Sequence, residues 1–77
     1  MDKEKEQLVV SAFDNARSHI SEVKWLKTKI NEITETVETI HDLIELLREE
    51  EENQADPVKQ TDIRIYLTQL EKHITKD

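Results

Sequence analysis

The chain has 77 residues, of which 38% are charged and 35% are apolar, with no cysteine, no glycine and one proline. This length allows one small domain. The missing cysteine excludes disulfides, thiolate zinc sites and a thiol nucleophile, and the missing glycine disfavours a phosphate-binding loop. The net charge of −7 disfavours binding to nucleic acid and to anionic membrane surfaces, because both depend on basic protein groups.

The expected location follows from the same composition. No apolar run approaches the ~20 residues that a membrane-spanning helix needs. The N-terminal residues alternate in charge and do not have the pattern of a signal peptide. We therefore expect an intracellular, cytoplasmic protein with no nucleic-acid or membrane partner and no cofactor.

Apolar residues recur at heptad spacing through the first two thirds of the chain. The a positions hold Val9, Ala16, Val23, Ile30, Val37 and Ile44, and the d positions hold Ala12, Leu26, Ile33, Ile40 and Leu47. Among the d positions of this stretch, His19 is the polar exception. This pattern is typical of a coiled-coil seam.

The pattern predicts one long helix over about 4–52, a rod of roughly 70 Å. No proline or glycine interrupts these residues. A break between Asp14 and Ser18 is an open alternative, because short polar side chains compete for backbone hydrogen bonds. The apolar pattern continues through this point, so a continuous helix is favoured.

A second helix is predicted after a short turn at 53–56. Asp56 can cap it, and Pro57 suits its first turn, so the helix is expected over 57–75. The short turn predicts antiparallel packing. The fold class is therefore all-α, a coiled-coil-like helical hairpin in a single domain, 1–77, that assembles into a bundle. The residues expected to pack the hairpin are Ile33, Val37, Ile40, Ile44, Leu47, Ile63, Tyr66, Leu67, Leu70 and Ile74.

The shorter helix cannot cover the whole apolar seam of the longer one. At ~28 Å, it reaches only the second half of the rod. The uncovered residues predict an interface with another helix, in a homo-oligomer, with a dimer favoured, or in a complex with a helical hetero-partner. The residues of this predicted interface are Val9, Phe13, Ala16, Ile20, Val23, Leu26 and Ile30.

A second partner surface is also possible from the sequence. Trp25 and Leu46 share heptad position c, away from the seam, and Glu49, Glu50, Glu51 and Glu52 form a dense acidic run. Tryptophan is common at binding hot spots. The alternatives are coverage of Trp25 by neighbouring lysines and simple solvation of the acidic run.

Two polar features could indicate more specific chemistry. His19, at a d position, is interpreted either as a pH-sensitive contact or, preferably, as a partly buried interface histidine. Glu38, His41, Asp42 and Glu45 have helical spacing that could hold a metal, but the second half of such a site has no counterpart in the second helix. A solvated charged face is the preferred interpretation.

The functional prediction is a non-enzymatic protein–protein interaction module, a coiled-coil adaptor or small subunit that self-associates or pairs with a helical partner. The alternative is a small acidic regulatory inhibitor, of the kind that mobile elements carry, docking on a basic surface of its target. Arg17, Lys24, Lys27 and Lys29 make the middle of the first helix locally basic, which counts against the alternative. Catalysis is not expected, because a small helical hairpin offers no deep concave site.

Overall fold

Four α-helices make up most of the computed structural model, which describes residues 3–75. They are α1 (Lys3–Ala16), α2 (Val23–Thr36), α3 (Ile40–Asn53) and α4 (Pro57–Thr75), and a short 3-10 helix (Arg17–His19) follows α1. Residues 3–75 contain no β-strand, so the all-α prediction is confirmed. No helix in this part of the chain has the length and apolar character needed to cross a membrane.

The prediction of one continuous helix over 4–52 is wrong. The chain bends at 17–22 and again at 37–39, which divides the predicted rod into α1, α2 and α3. The principal extents are 31 × 24 × 20 Å, less than half the length expected for the rod. The chain therefore folds back on itself and covers its own apolar seam.

The first bend is stabilised by a residue far away in the sequence. After the 3-10 helix, Ile20 is extended, with φ −95° and ψ 132°. The backbone N–H groups of Ser21 and Glu22 donate to the two carboxylate oxygens of Asp62 at 3.0 and 2.8 Å. Asp62, on α4, therefore caps the start of α2, where no local side chain makes a capping hydrogen bond.

The second bend has a local cause. Val37 and Thr39 are extended, and the Thr39 hydroxyl accepts a hydrogen bond from the backbone N–H of Asp42 at 3.1 Å. Threonine followed three residues later by aspartate is a helix-start motif. The motif is visible in the sequence, but the sequence analysis did not use it, because the heptad pattern continues through this point without interruption.

The third connection is the one that the Asp56-Pro57 pair indicates. The Asp56 carboxylate accepts from the backbone N–H groups of Val58 at 2.9 Å and Lys59 at 3.4 Å. Pro57 then occupies the first position of α4, where no backbone N–H is needed.

The last helix forms the centre of the packing, because α4 contacts α1, α2 and α3. Of the residues expected to pack a hairpin, Ile33 and Ile74 are half-buried. The other eight are buried: Val37, Ile40, Ile44, Leu47, Ile63, Tyr66, Leu67 and Leu70. The apolar positions were therefore identified, but they pack between α4 and the three other helices instead of along one two-helix seam.

Candidate functional site

A groove between α1 and α2 is the strongest candidate site. Its volume is about 400 Å³. The residues that line this basic groove are Val9, Val10, Phe13, Asp14, Arg17, Val23, Lys24, Lys27, Ile30 and Asn31. An apolar floor with polar groups at its edge is the usual composition of a binding site.

The rim of the groove is basic, although the whole chain is acidic. Arg17, Lys24 and Lys27, against Asp14, give the groove a formal charge of +2. All four side chains are exposed. None of the three basic groups forms an ion pair with another residue of the described part of the chain. Their charge is therefore available to an anionic partner.

Contacts with α4 fix the α1 wall of the groove. The Tyr66 hydroxyl donates to the Val9 carbonyl at 3.1 Å, and the Phe13 and Tyr66 ring centroids are 6.2 Å apart. Burial raises the pKa of the Tyr66 phenol well above its ordinary value, so the hydroxyl keeps its proton and remains a donor. Since Asp62 fixes the start of α2, the same helix positions both walls.

The predicted oligomer interface does not form an uncovered stripe. Five of its seven residues are buried within one chain: Val9, Ala16, Ile20, Leu26 and Ile30. Phe13 and Val23 are half-buried. The premise of the prediction was wrong, because the bend after α1 lets the chain cover these side chains itself. Val9, Phe13, Val23 and Ile30 nevertheless meet again in the lining of the groove.

The residues of the predicted second surface do not form one surface together, although Leu46 and Glu49 line the same depression. Trp25 is half-buried against the core, and the Lys59 ammonium lies 5.2 Å from its ring centroid, a cation–π distance. Leu46 is 37% exposed. In the acidic run, Glu50 pairs with Lys29 at 3.5 Å and Glu51 pairs with Arg64 at 3.0 Å. Only Glu49 and Glu52 of the run are exposed.

A different set of acidic residues forms a continuous surface. Glu38, Asp42, Glu45 and Glu49 line one shallow depression of about 470 Å³ beside α3, together with Leu46. We call these four carboxylates the acidic stripe. All four are exposed, and none forms an ion pair with a described residue.

The two polar features that the sequence indicated, His19 and the cluster of Glu38, His41, Asp42 and Glu45, consist of exposed residues. His19 is exposed in the described chain, so it is not the partly buried histidine that its d position predicted. Among residues 3–75, no group of three or more histidine, aspartate or glutamate side chains is arranged to hold a metal. Glu38, Asp42 and Glu45 instead belong to the acidic stripe.

Two important residues were missed by the heptad analysis. Val10 is 58% exposed and lies on the groove, but it occupies a position next to the seam that the pattern treats as solvent. Asp62 is only 1% exposed. A charged residue within the apolar pattern of α4 was a signal that it needed a buried partner.

Comparisons of the chain with protein-family models, with curated proteins and with solved structures give no match.

Proposed function

We propose that this protein is a non-enzymatic protein–protein interaction module whose basic groove binds a helix of a partner. One observation carries the proposal: exposed and half-buried apolar side chains, Val10, Phe13 and Val23, lie between basic groups that have no partner in the described chain. An amphipathic helix docking in a groove uses this combination.

The burial of the core supports a reversible interaction. Most apolar side chains of the described residues are already buried or half-buried within one chain, so a partner would add to a folded protein and would not complete its core. Val10, at 58% exposure, is the exception beside the groove. A surface valine bordered by cations suits recognition of a partner with apolar and acidic residues side by side.

Site-specific photo-crosslinking tests this proposal. Val10 is replaced by p-benzoylphenylalanine, and the protein is irradiated in its native cells. Val58 is the matched control position, because it is also apolar and 47% exposed but does not line the groove. We expect a crosslinked protein species from position 10 that is absent from position 58.

Charge reversal at the rim makes the crosslinking test specific. Lys24→Glu with Lys27→Glu should remove the crosslink at position 10. Arg48→Glu with Lys72→Glu makes the same change in net charge at exposed positions outside the groove and should leave it. Absence of a crosslink at position 10, or equal crosslinking in all variants, would contradict the proposed function.

A second candidate function is a small acidic regulator that docks on a basic surface. The acidic stripe favours it, because its four exposed carboxylates form no ion pair with any residue that the structure describes. Crosslinking from position 46, which lies in the same depression, would then capture a target, and Glu45→Gln with Glu49→Gln would remove that species.

A further inference from the structure

The occupant of the basic groove can be argued from the rest of the chain. We propose that the groove binds the acidic stripe of a second copy of this protein, with Leu46 directed at its apolar floor. This inference rests on the proposed function and names the helix that the groove accepts.

The charges of the two surfaces are complementary. The groove carries three cations and the stripe four carboxylates, and none of these groups forms an ion pair with another residue of 3–75. Asp42, Glu45 and Glu49 recur at intervals of three and four residues on α3, which is the spacing of one helix face, and Glu38 lies in the bend just before this helix. Lys24 and Lys27 are separated by about one turn of α2, and Glu45 and Glu49 by about one turn of α3. The two lysines of one copy can therefore lie next to two carboxylates of the other.

The apolar parts also match. Leu46 is 37% exposed within the acidic depression, and Val10 is 58% exposed beside the basic groove. Covering both would remove two of the exposed large apolar side chains of the described chain from water. An apolar contact surrounded by opposite charges is the usual arrangement of a specific interface.

The proposed contact is between copies, because within one chain no ion pair of the described residues joins a cation of the groove to a carboxylate of the stripe. The overall charge of −7 opposes association at a distance. Salt limits this repulsion, since the screening length is about 8 Å at physiological ionic strength. Direct contacts between opposite charges are shorter than that length.

The inference restricts the type of assembly. Since each contact joins a groove to a stripe, two copies can exchange both contacts and close with two-fold symmetry, or they can associate head-to-tail and leave one groove and one stripe free. In both arrangements, position 10 of one copy meets residues 38–49 of another.

Sedimentation velocity of the full chain over a concentration series tests the inference. The weight-average mass should rise above that of the monomer, and about 1 M salt should reverse the rise, because it shortens the screening length to about 3 Å. A single monomeric species at all concentrations would overturn the inference, as would a closed dimer crosslinked groove to groove.

Two charge-reversed variants provide a matched test. The groove variant is Lys24→Glu with Lys27→Glu, and the stripe variant is Glu45→Lys with Glu49→Lys. Each variant alone should associate about tenfold or more weakly than the natural protein, because like charges then meet. Circular dichroism confirms that each remains helical.

Mixing the two variants should restore association, since the stripe of each then faces a groove of opposite charge. The groove variant has a net charge of −11 and the stripe variant one of −3, from −7 with four charges removed or added. Both are negative, so overall attraction cannot explain the recovery. Failure to recover in the mixture would overturn the inference.

The crosslinking experiment separates this inference from the proposed function. A crosslink from position 10 to residues 38–49 of a second copy supports both. A crosslink from position 10 to a different protein overturns the inference and leaves the proposed function intact. The absence of any crosslink contradicts both.

Discussion

The helices that follow the first and third connections of this chain have their first backbone N–H groups bound in different ways. At the α3–α4 turn, Asp56 caps the helix that directly follows it. At the α1–α2 bend, the helix start is capped by Asp62, 40 residues from Glu22. The comparison shows that a local cap can form with its helix, whereas the remote cap exists only after α4 has packed.

The largest expected effect is at the remote cap. Asp62→Ala should lower the free energy of unfolding by about 3 kcal/mol, because it removes two hydrogen bonds to a charged group at a buried position. Urea unfolding followed by circular dichroism measures this loss. An effect no larger than that of Asp56→Ala would contradict the contrast between the two connections.

The second expected effect concerns another contact of α4 with the first half of the chain. Tyr66→Phe removes the hydrogen bond to the Val9 carbonyl and should cost about 1 kcal/mol. Unfolding curves near neutral pH measure it. Leu70→Ala, at a buried position of the same helix without that bond, provides a reference for packing loss alone.

The pH dependence of the free energy of unfolding provides a second test of the Tyr66 contact. Burial raises the pKa of the phenol, so the unfolded chain loses this proton at lower pH than the folded one. The contribution of the protonated Tyr66 phenol to the stability of the folded chain is therefore complete below pH about 10, and it is lost as pH rises above that value. Since the chain has one tyrosine, the Tyr66→Phe variant should lack this component of the alkaline decrease in stability. Parallel alkaline slopes for both proteins would contradict the assignment.

The local cap should be less important than the remote one. Asp56→Ala should lower the free energy of unfolding by about 1 kcal/mol, the usual cost of losing a helix cap. Asp56→Asn is the control, because an asparagine oxygen can still accept the same hydrogen bonds. A loss as large as that of Asp62→Ala would remove the distinction between local and remote capping.

The smallest expected effect is at the groove. Lys24→Glu with Lys27→Glu should change the free energy of unfolding by less than about 0.5 kcal/mol, because both side chains are exposed and form no ion pair within residues 3–75. Thermal unfolding checks this value. A large loss of stability would mean that these lysines support the fold, and their effect on binding would then need another explanation.

The sequence predicted which side chains are buried better than how the helices connect. Val9, Ala16, Ile30, Val37 and Ile44 are all a positions, and all are buried. Heptad spacing indicates a continuous apolar face, but three shorter helices that turn that face towards α4 have the same spacing. The pattern therefore could not distinguish a rod from a folded chain.

The candidate site was predicted only in part, for a related reason. Phe13 and Val23 were identified as interface residues, and the basic character of the region was visible in the sequence. Their meeting with Val10 depends on the bend that Asp62 stabilises. A contact between residues this distant along the chain has no local signal, so the groove itself could not be derived from periodicity.

The central position of α4 has a consequence for how the protein forms in the cell. Of the four helices, α4 leaves the ribosome last, and it supplies both Asp62 and Tyr66 to the earlier part of the chain. The first three helices therefore emerge with their apolar faces exposed, at the stage when nascent chains bind chaperones or aggregate. Translation that stops before residue 57 would release a polypeptide unable to close its core.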